Sequence, residues 1–474
     1  SRGLGDVYKR QGDDFPPKNN PPRANALRAA SRDKTNRHTG IKMRVSTIAP
    51  LIIPALLALT FKAGAETSRP VEQPAAATEK LSIDSQPIMP ERHKSYKAAS
   101  NGCPPSRARC TWQHTYGGML EDKAYSVATT SQNGVVVAGH TRSLSGHQYD
   151  GWLLHLDRSG RTLWERRLGG PLTEHAYGTV VMGDKIVMAG LTRSRARGDS
   201  DVWIVCLDLN GEILWERILG DLGNDKARTV AQTGDGHILV AGTSQQTASS
   251  NDDGWLMQLR QDGTVLWENR YGGREDNGIF HVTALMDGGI AAVGYADKDG
   301  EDGYQLWVLR LDAEGNELWE RFLGHGRFDA GTSVVATPDG GLIVAGTTSA
   351  DAFRLDDAWV LRFEADGRLA WEKIFEGEAR DGAWAIAAMP QEIYVIAAAT
   401  ASYGAGSTDA WLLAIDDQGE VQWERMYGGP LWDRPTSLAA TADGGGLILG
   451  GYTTSSGAGY EDYWVLRLDE TGRL

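Results

Sequence analysis

Tryptophan recurs in this chain with a period of 51 or 52 residues. The residues that set the period are Trp112, Trp164, Trp215, Trp267, Trp319, Trp371 and Trp423. A second series with almost the same period comprises Trp152, Trp203, Trp255, Trp307, Trp359, Trp411 and Trp464. A fixed period of this length is typical of an array of equivalent structural units. The chain therefore holds seven copies of one unit, and any motif inside the unit has to be interpreted as one of seven.

Each unit has room for four short strands. In the fifth unit the runs GTSVVAT, LIVAGTT, AWVLRFE and LAWEKIF are separated by PDGG, SADAFRLDD and ADGR. Glycine and aspartate between short β-rich runs mark turns between strands, and no stretch is long enough for a helix. The sequence therefore predicts an all-β fold, a seven-bladed β-propeller with four antiparallel strands per blade.

The two ends of the repeat predict how the ring closes. The last unit ends with LDETGRL, one residue before its expected tryptophan. The first segment, TWQHTYGG around Trp112, has that tryptophan but no turn motif before it. We expect the strand near Trp112 to supply the outer strand of the seventh blade, because this pairing covers an otherwise open sheet edge.

The residues before the repeat predict an exported protein. We interpret residues 1–42 as a non-native or disordered leader and residues 43–65 as a signal peptide. Met43 begins this segment, Arg44 is basic, an apolar run follows, and Ala65 ends a small-residue cleavage site. The run is shorter than the roughly 20 residues that span a bilayer. We expect a disordered linker at 66–110, the propeller at 111–474, and a monomer, periplasmic or extracellular, that is not embedded in a membrane.

The charge of the chain disfavours nucleic acid as a partner. The formal net charge is −14. Residues 1–65 hold 12 of the 48 basic and 4 of the 62 acidic residues, which leaves 36 basic and 58 acidic residues after cleavage, a net charge of −22. Nucleic-acid binding requires a basic surface, so no such partner is expected.

Three cysteines bear on the compartment and on the chemistry. Cys103 and Cys110 enclose PPSRAR. A disulfide between them is predicted in an oxidising compartment, and two free thiols in a linker are the alternative. Cys206 lies in the strand-like run DVWIVCLDL and is expected to be a small packed residue. No spacing matches a metal motif, so no metal, cofactor or catalytic residue is predicted.

The units resemble the repeats of exported bacterial β-propeller proteins, which follow the pattern GG…D…DGG…G.T.S…D.W…LD..G. They resemble more distantly the propellers of the pyrroloquinoline-quinone type and the outer-membrane assembly propeller of Gram-negative bacteria. The resemblance covers Thr111–Leu474. It implies the fold and leaves the function open, because propellers host many activities.

The motif LDRSGRTLWERRLGG predicts a structural joint. In its first copy Asp157 and Gly160 frame a turn before Trp164. Glycine supplies the positive φ that tight turns need, and the carboxylate can accept hydrogen bonds from the N–H groups of the turn. Arg260 and Glu364 replace the aspartate in two other copies. A catalytic carboxylate could not be replaced by arginine, so the motif is assigned to the seams between blades.

A polar residue follows each tryptophan of the first series by ten positions, at the start of the innermost strand. These residues are Asp122, Glu174, Asp225, Asn277, Asp329, Asp381 and Asp433. We expect this acidic ring to surround one mouth of the central channel. Two interpretations stay open: the ring attracts a cation or an amine, or each side chain holds its own loop by accepting backbone N–H groups. Trp384 and Trp432 belong to neither tryptophan series and are the other candidate ligand contacts.

These observations predict a non-catalytic binding scaffold. It would recognise a protein, peptide or glycan on the loop-rich acidic face, where variable connections lie on a rigid support. The alternatives are a quinoprotein-like enzyme, a polysaccharide-active enzyme and an envelope assembly scaffold. A quinoprotein is expected to break the repeat with a clustered cofactor site, and a polysaccharide-active enzyme needs paired carboxylates at set distances.

Overall fold

The computed structural model describes residues 110–143, 148–247, 251–297, 303–349 and 356–474. Within these ranges the chain forms 28 strands in seven four-stranded sheets. Every strand pair is antiparallel, and one 3₁₀ turn occurs at Pro390–Glu392. The predicted seven-bladed propeller is therefore confirmed. The leader, the signal peptide and the linker up to residue 109 lie outside the described residues.

Each blade is one sheet whose strands follow each other in chain order. Blade one contains β2 (Asp122–Thr129), β3 (Val135–Thr141), β4 (Asp150–Leu156) and β5 (Thr162–Leu168). Blade two contains β6 (Glu174–Met182), β7 (Lys185–Thr192), β8 (Asp201–Asp208) and β9 (Ile213–Leu219). Blade three contains β10 (Lys226–Gln232), β11 (Ile238–Ser244), β12 (Asp253–Leu259) and β13 (Val265–Tyr271). Blade four contains β14 (Asn277–Ala284), β15 (Ile290–Ala296), β16 (Gln305–Leu311) and β17 (Glu317–Leu323).

The remaining blades repeat this arrangement with one difference. Blade five contains β18 (Ala330–Ala336), β19 (Leu342–Thr348), β20 (Asp357–Phe363) and β21 (Leu369–Phe375). Blade six contains β22 (Asp381–Met389), β23 (Ile393–Thr400), β24 (Asp409–Ile415) and β25 (Val421–Tyr427). Blade seven contains β26 (Asp433–Ala440), β27 (Gly446–Thr453) and β28 (Asp462–Asp469), and its fourth strand is β1 (Trp112–Tyr116).

The ring closes through β1, as the sequence predicts. β1 pairs with β28 from Trp112 opposite Arg467 to Tyr116 opposite Tyr463. Each innermost strand contacts the innermost strand of the next blade, including β26 with β2. The indole N–H of Trp112 also donates a hydrogen bond to the carbonyl of Arg158 in blade one, at 2.9 Å. The first and last blades are therefore joined by a sheet edge and by a side chain.

The core lies between neighbouring sheets. The second and third strands of most blades are buried along nearly their whole length, as β19 and β20 show. Both faces of such strands pack against a neighbouring blade, which explains their continuous apolar runs. Cys206 is buried in β8 as a free thiol, and burial raises its pKa to about 11. The expectation of a packed residue is confirmed. Within the described ranges, no helix has the length and apolarity needed to cross a membrane.

The seams between blades are built from the repeated tryptophan motif. The indole N–H of Trp215 donates to the carbonyl of Gln261 in the next blade at 2.9 Å. Its ring lies against Gly263, whose φ of 79° places it in the left-handed region where a Cβ would be strained. Arg217 donates to the carbonyl of Gly263 at 3.0 Å and lies over the Trp215 ring at 5.6 Å. The interpretation of the motif as a structural joint is confirmed.

Cys110 is disulfide-bonded and buried. Its predicted partner, Cys103, lies outside the described residues, so the pairing of the two stays a prediction.

Candidate functional site

The acidic ring begins the innermost strands, at the end of each blade that carries the longer connections. Asp122 is opposite Thr141 in β3, and Thr141 is opposite Asp150 in β4. The connections between second and third strands and the connections between successive blades therefore lie on the same side of the propeller as the acidic ring. We call this side the binding face.

The ring carboxylates are turned toward their own loops. The Asp122 carboxylate accepts hydrogen bonds from the Gly118 N–H at 2.8 Å, the Thr141 hydroxyl at 2.5 Å and the Ser143 hydroxyl at 2.7 Å. Asp381 and Asp433 accept hydroxyl groups from the equivalent residues of their blades. All six carboxylates are at most 1 % exposed, and Asn277 is 4 % exposed. This is the loop-holding arrangement, and a role of the ring toward a ligand stays a prediction.

Neighbouring blades bring a second carboxylate to the ring. An aspartate begins the third strand in six blades, and in four of them one glycine packs against both this aspartate and the ring residue of the next blade. A Cβ built on Gly220 would lie 2.7 Å from Asp201 Oδ1 and 2.8 Å from Asp225 Oδ2. The same glycine contact joins Asp462 to Asp122. Glycine is required here because both carboxylates occupy the space of a side chain.

These carboxylate pairs hold unsatisfied oxygen atoms. Asp462 Oδ2 accepts the N–H groups of Ala458 and Gly459 at 2.8 and 3.1 Å, whereas Oδ1 is buried and has no hydrogen-bond partner. Burial raises the pKa of Asp462 to about 6, and the nearby Asp122 carboxylate adds to the increase. Burial likewise raises the pKa of Asp150 to about 6. A bound proton therefore relieves the repulsion within such a pair below about pH 6.

Every innermost strand contains a β-bulge three residues after the ring position. The register shifts at the same place in all seven first strand pairs. We call the bulged residues the bulge ring: Tyr125, Tyr177, Arg228, Phe280, Thr332, Trp384 and Thr436. A bulge leaves a residue outside the ladder and redirects its side chain. Because the free edge of the innermost strands faces the axis of the ring, the five larger members line the central channel. The hydroxyls of Thr332 and Thr436 donate to carbonyls of the next blade.

Contacts between blades support this placement. The Tyr125 and Tyr177 rings lie 5.0 Å apart, centroid to centroid. The Arg228 guanidinium lies 5.1 Å from the centroid of the Tyr177 ring. Trp384 is covered by the guanidinium of Arg434, which lies 3.9 Å from its ring centroid. Tyr125, Tyr177 and Arg228 thus form one group across blades one to three, and Trp384 with Arg434 forms a second group across blades six and seven.

The two exceptional tryptophans therefore occupy different places. Trp384 is a half-buried member of the bulge ring. Trp432 lies in the connection to blade seven, where its backbone N–H donates to the Thr454 hydroxyl at 2.9 Å and its carbonyl accepts the Thr454 N–H at 2.7 Å. The other bulge-ring residues were missed from the sequence because all seven units contain the same extra residue, so the period is unchanged.

Exposed apolar side chains follow the connections of the binding face. We call this set the apolar rim: Met119, Leu172, Leu222, Leu431 and Tyr460, which are 80, 48, 67, 49 and 72 % exposed. They lie on consecutive connections from blade six to blade three. Large apolar side chains exposed as a group mark interaction surfaces more often than single exposed residues do.

Within the described ranges, no three His, Cys, Asp or Glu side chains come together in a way that could hold a metal ion. His140 and His175 do meet beside the bulge ring, with their Nδ1 atoms 2.7 Å apart. Burial lowers the pKa of His175 to about 3 and that of His140 well below its usual value. Both imidazoles are therefore neutral at physiological pH.

Comparison with known proteins finds similar solved structures but no family. No family model matches the chain, and no curated protein matches it. Among solved structures, the Pan2 WD40 domain of Neurospora crassa is 12 % identical with a TM-score of 0.47, covering 77 % of this chain and 99 % of its own. BamB of Moraxella catarrhalis is 15 % identical with a TM-score of 0.39, covering 74 and 99 %. A puromycin hydrolase is 17 % identical with a TM-score of 0.45, covering 76 and 55 %.

Proposed function

We propose that this protein is a non-catalytic scaffold that binds a segment of another protein on its binding face. The apolar rim carries the proposal. Met119 and Leu222 expose most of their side chains to solvent, and their burial in a complex would supply a favourable hydrophobic contribution. Aromatic residues and methionine are enriched in protein–protein interfaces. A rim of aliphatic side chains favours a protein partner over a glycan, because a sugar requires hydrogen-bonding groups around it.

We also propose that the scaffold works outside the cytoplasm. Three features of the sequence support this location: Arg44, the apolar run after it and the small residues ending at Ala65. The disulfide-bonded state of Cys110 fits an oxidising compartment. Mass spectrometry of protein purified from the native host should find a mature chain that begins at Glu66. A chain that keeps residues 43–65 would contradict the proposal of a cleaved signal.

Site-specific photocrosslinking tests the binding face. A benzophenone amino acid is placed at Met119 or Leu222 in the native host, and the crosslinked partner is identified by mass spectrometry. Matched controls carry the same group at Leu214 on the outer strand of blade two and at Met286 on the opposite face, which are 50 and 88 % exposed. We expect one protein to be crosslinked from the two rim positions and not from the controls.

Binding of the identified partner then measures the contribution of the rim. Leu222→Asp should weaken binding at least about tenfold, since burying an unpaired charge is costly. Leu214→Asp should leave the affinity unchanged. Equal crosslinking from rim and control positions, or equal affinity of the two variants, would overturn the proposal.

A further inference from the structure

Arg228 has an unusual environment for a channel-lining cation. It is the bulged residue of β10, between Ala227 and Thr229. Its guanidinium lies between two aromatic rings, 5.1 Å from the centroid of Tyr177 and 5.8 Å from that of Phe280. The rings belong to blades two and four, so the side chain is held by both neighbours of its own blade. Such a bracket restricts the rotamers of the long side chain before any ligand binds.

Among the described residues, Arg228 forms no ion pair and no hydrogen bond, and its Nε is buried without a partner. Two other cations of the binding face have carboxylate partners. Lys123 lies 2.9 Å from Glu121 and 3.4 Å from Glu461. Arg270 lies 2.6 Å from Asp221. A guanidinium carries five N–H donors, and leaving them without acceptors in a partly buried place is costly.

The charges around Arg228 leave room for an anion. Asp252 is the nearby acid whose pKa responds to it: burial raises that pKa, and Lys226 and Arg228 act in the opposite direction. No salt bridge joins Asp252 to Arg228 within the described ranges. His175 is neutral, because burial lowers its pKa to about 3. A second acid, Asp276, also raises the pKa of Asp252, and its carboxylate accepts the Asp252 backbone N–H at 3.1 Å. A carboxylate entering the channel would meet the Arg228 guanidinium, which pairs with neither acid among the described residues.

We infer that Arg228 binds a carboxylate of the bound protein segment, either an Asp or Glu side chain or a C-terminus. This inference rests on the proposed function and names the ligand chemistry. The guanidinium fork matches a carboxylate in its own plane, and the aromatic rings on both sides leave the edge of that plane as the direction of approach. The apolar rim contacts the rest of the segment, while Arg228 selects its acidic residue.

Peptide selection tests this inference. A phage library of random twelve-residue peptides is selected on the immobilised propeller and, in parallel, on Arg228→Gln and Arg217→Gln variants. Arg217 is a matched control because it also lies over an aromatic ring, that of Trp215 at 5.6 Å, but on an outer strand. We expect peptides selected on the wild type and on Arg217→Gln to share an acidic position, and peptides selected on Arg228→Gln to lack it.

A double-mutant cycle then assigns the contact. The best selected peptide is synthesised with its acidic residue intact and with the corresponding amide. The amide should bind the wild type at least about tenfold more weakly and should bind Arg228→Gln with the same affinity as the acid does. Arg228→Lys should retain part of the preference, because it keeps the charge and loses the fork.

Three outcomes would overturn the inference: no enriched peptide, enriched peptides without an acidic position, or an acidic preference that persists in Arg228→Gln. A glycan array probed with the same variants examines the other class of ligand. If acidic glycans bind and their binding depends on Arg228, the anion site is retained and the inference that its ligand is a protein segment is rejected. If the peptide tests fail but crosslinking remains specific to the apolar rim, the role of Arg228 is rejected and the proposed function stands. Failure of the inference can therefore be distinguished from failure of the proposed function.

Discussion

At the scale of single residues, position along the strand was easier to predict than side-chain direction. The spacing correctly places Asp122 and its equivalents at the start of the innermost strands. It does not reveal that these carboxylates are turned toward their own loops, nor that Tyr125, three residues later, is bulged out of the ladder. A single inserted residue changes the side on which the following side chains lie. Because all seven units share the insertion, the period gives no sign of it.

In six blades a glycine lies opposite the bulge, where a side chain would collide with the bulged strand, and this gives a testable prediction. A methyl group on Gly242 would collide with the carbonyl oxygen of Lys226 and lie 2.9 Å from the backbone nitrogen of Arg228. Gly242→Ala should therefore lower the free energy of unfolding by about 2 kcal/mol or more. Ala398 occupies this place in blade six, so Ala398→Gly should cost only about 1 kcal/mol. Denaturant titration of both variants compares the two costs, and equal costs would contradict this role of the glycine.

The carboxylate pairs predict a pH dependence of stability. The pKa of Asp462 in the folded chain is about 6, above the ordinary value of 3.8. The folded state therefore binds this proton more tightly than the unfolded state does. The stabilisation is fully present below pH about 4 and is lost as the pH rises through about 6. Asp150 acts in the same direction, because burial also raises its pKa to about 6.

Asp462→Asn should isolate this effect. The amide oxygen can keep the hydrogen bonds from Ala458 and Gly459, and the NH₂ group can donate toward Asp122 in place of the proton. Two other blade junctions already hold an amide, at Asn277 and Gln305. We expect the variant to raise the free energy of unfolding at pH 7.5 by about 1–3 kcal/mol and to have little effect at pH 4. Thermal unfolding at both pH values checks this, and a gain of the same size at both would exclude a protonated pair.

At the scale of strands, ring closure was predictable because an unpaired sheet edge has to be covered. By the tryptophan period, the last unit lacks its outer strand, whereas the segment around Trp112 is an outer strand without a unit of its own. The observed pairing of β1 with β28 resolves both. The seam motif was predictable for a related reason: its substitutions, Arg260 and Glu364, exclude catalysis and leave the turn geometry as the shared property.

Removal of β1 should open the ring. Trp112 and Tyr116 both donate hydrogen bonds from their side chains to blade one, to the carbonyls of Arg158 and Gly160. A chain that starts at Gly117 loses these bonds together with the ladder to β28. We expect it to melt at least about 10 °C below a chain that starts at Thr111, and to elute as oligomers through its exposed edge. Calorimetry and size-exclusion chromatography compare the two chains; a monomer of unchanged stability would show that closure by β1 is dispensable.

At the scale of the whole molecule, the ring is regular in its frame and irregular on its binding face. The repeat predicted the frame, because equivalent positions have to satisfy the same packing in every blade. It could not predict the apolar rim, since exposure depends on how each connection folds over its neighbours. Met119 and Tyr460, for example, come from different units. Their connections touch, because the backbone N–H of Tyr460 donates to the carbonyl of Leu120 at 3.3 Å. The side chains that differ between units, placed by the structure, distinguish the half of the binding face that carries the apolar rim from the other half.

The rim and the bulge ring should act on one ligand. Leu222 lies on the connection that leads into β10, and Arg228 lies within that strand. One bound segment can therefore cross the rim and place an acidic residue in the channel. Because the two side chains share no partner, their effects on binding free energy should add, so the fold-losses of Leu222→Asp and Arg228→Gln should multiply in the double variant. Affinities of the crosslinked partner for the four proteins measure this. If Arg228→Gln left that partner's affinity unchanged, rim and channel would serve different ligands, and the acidic residue would have to be sought in a second molecule.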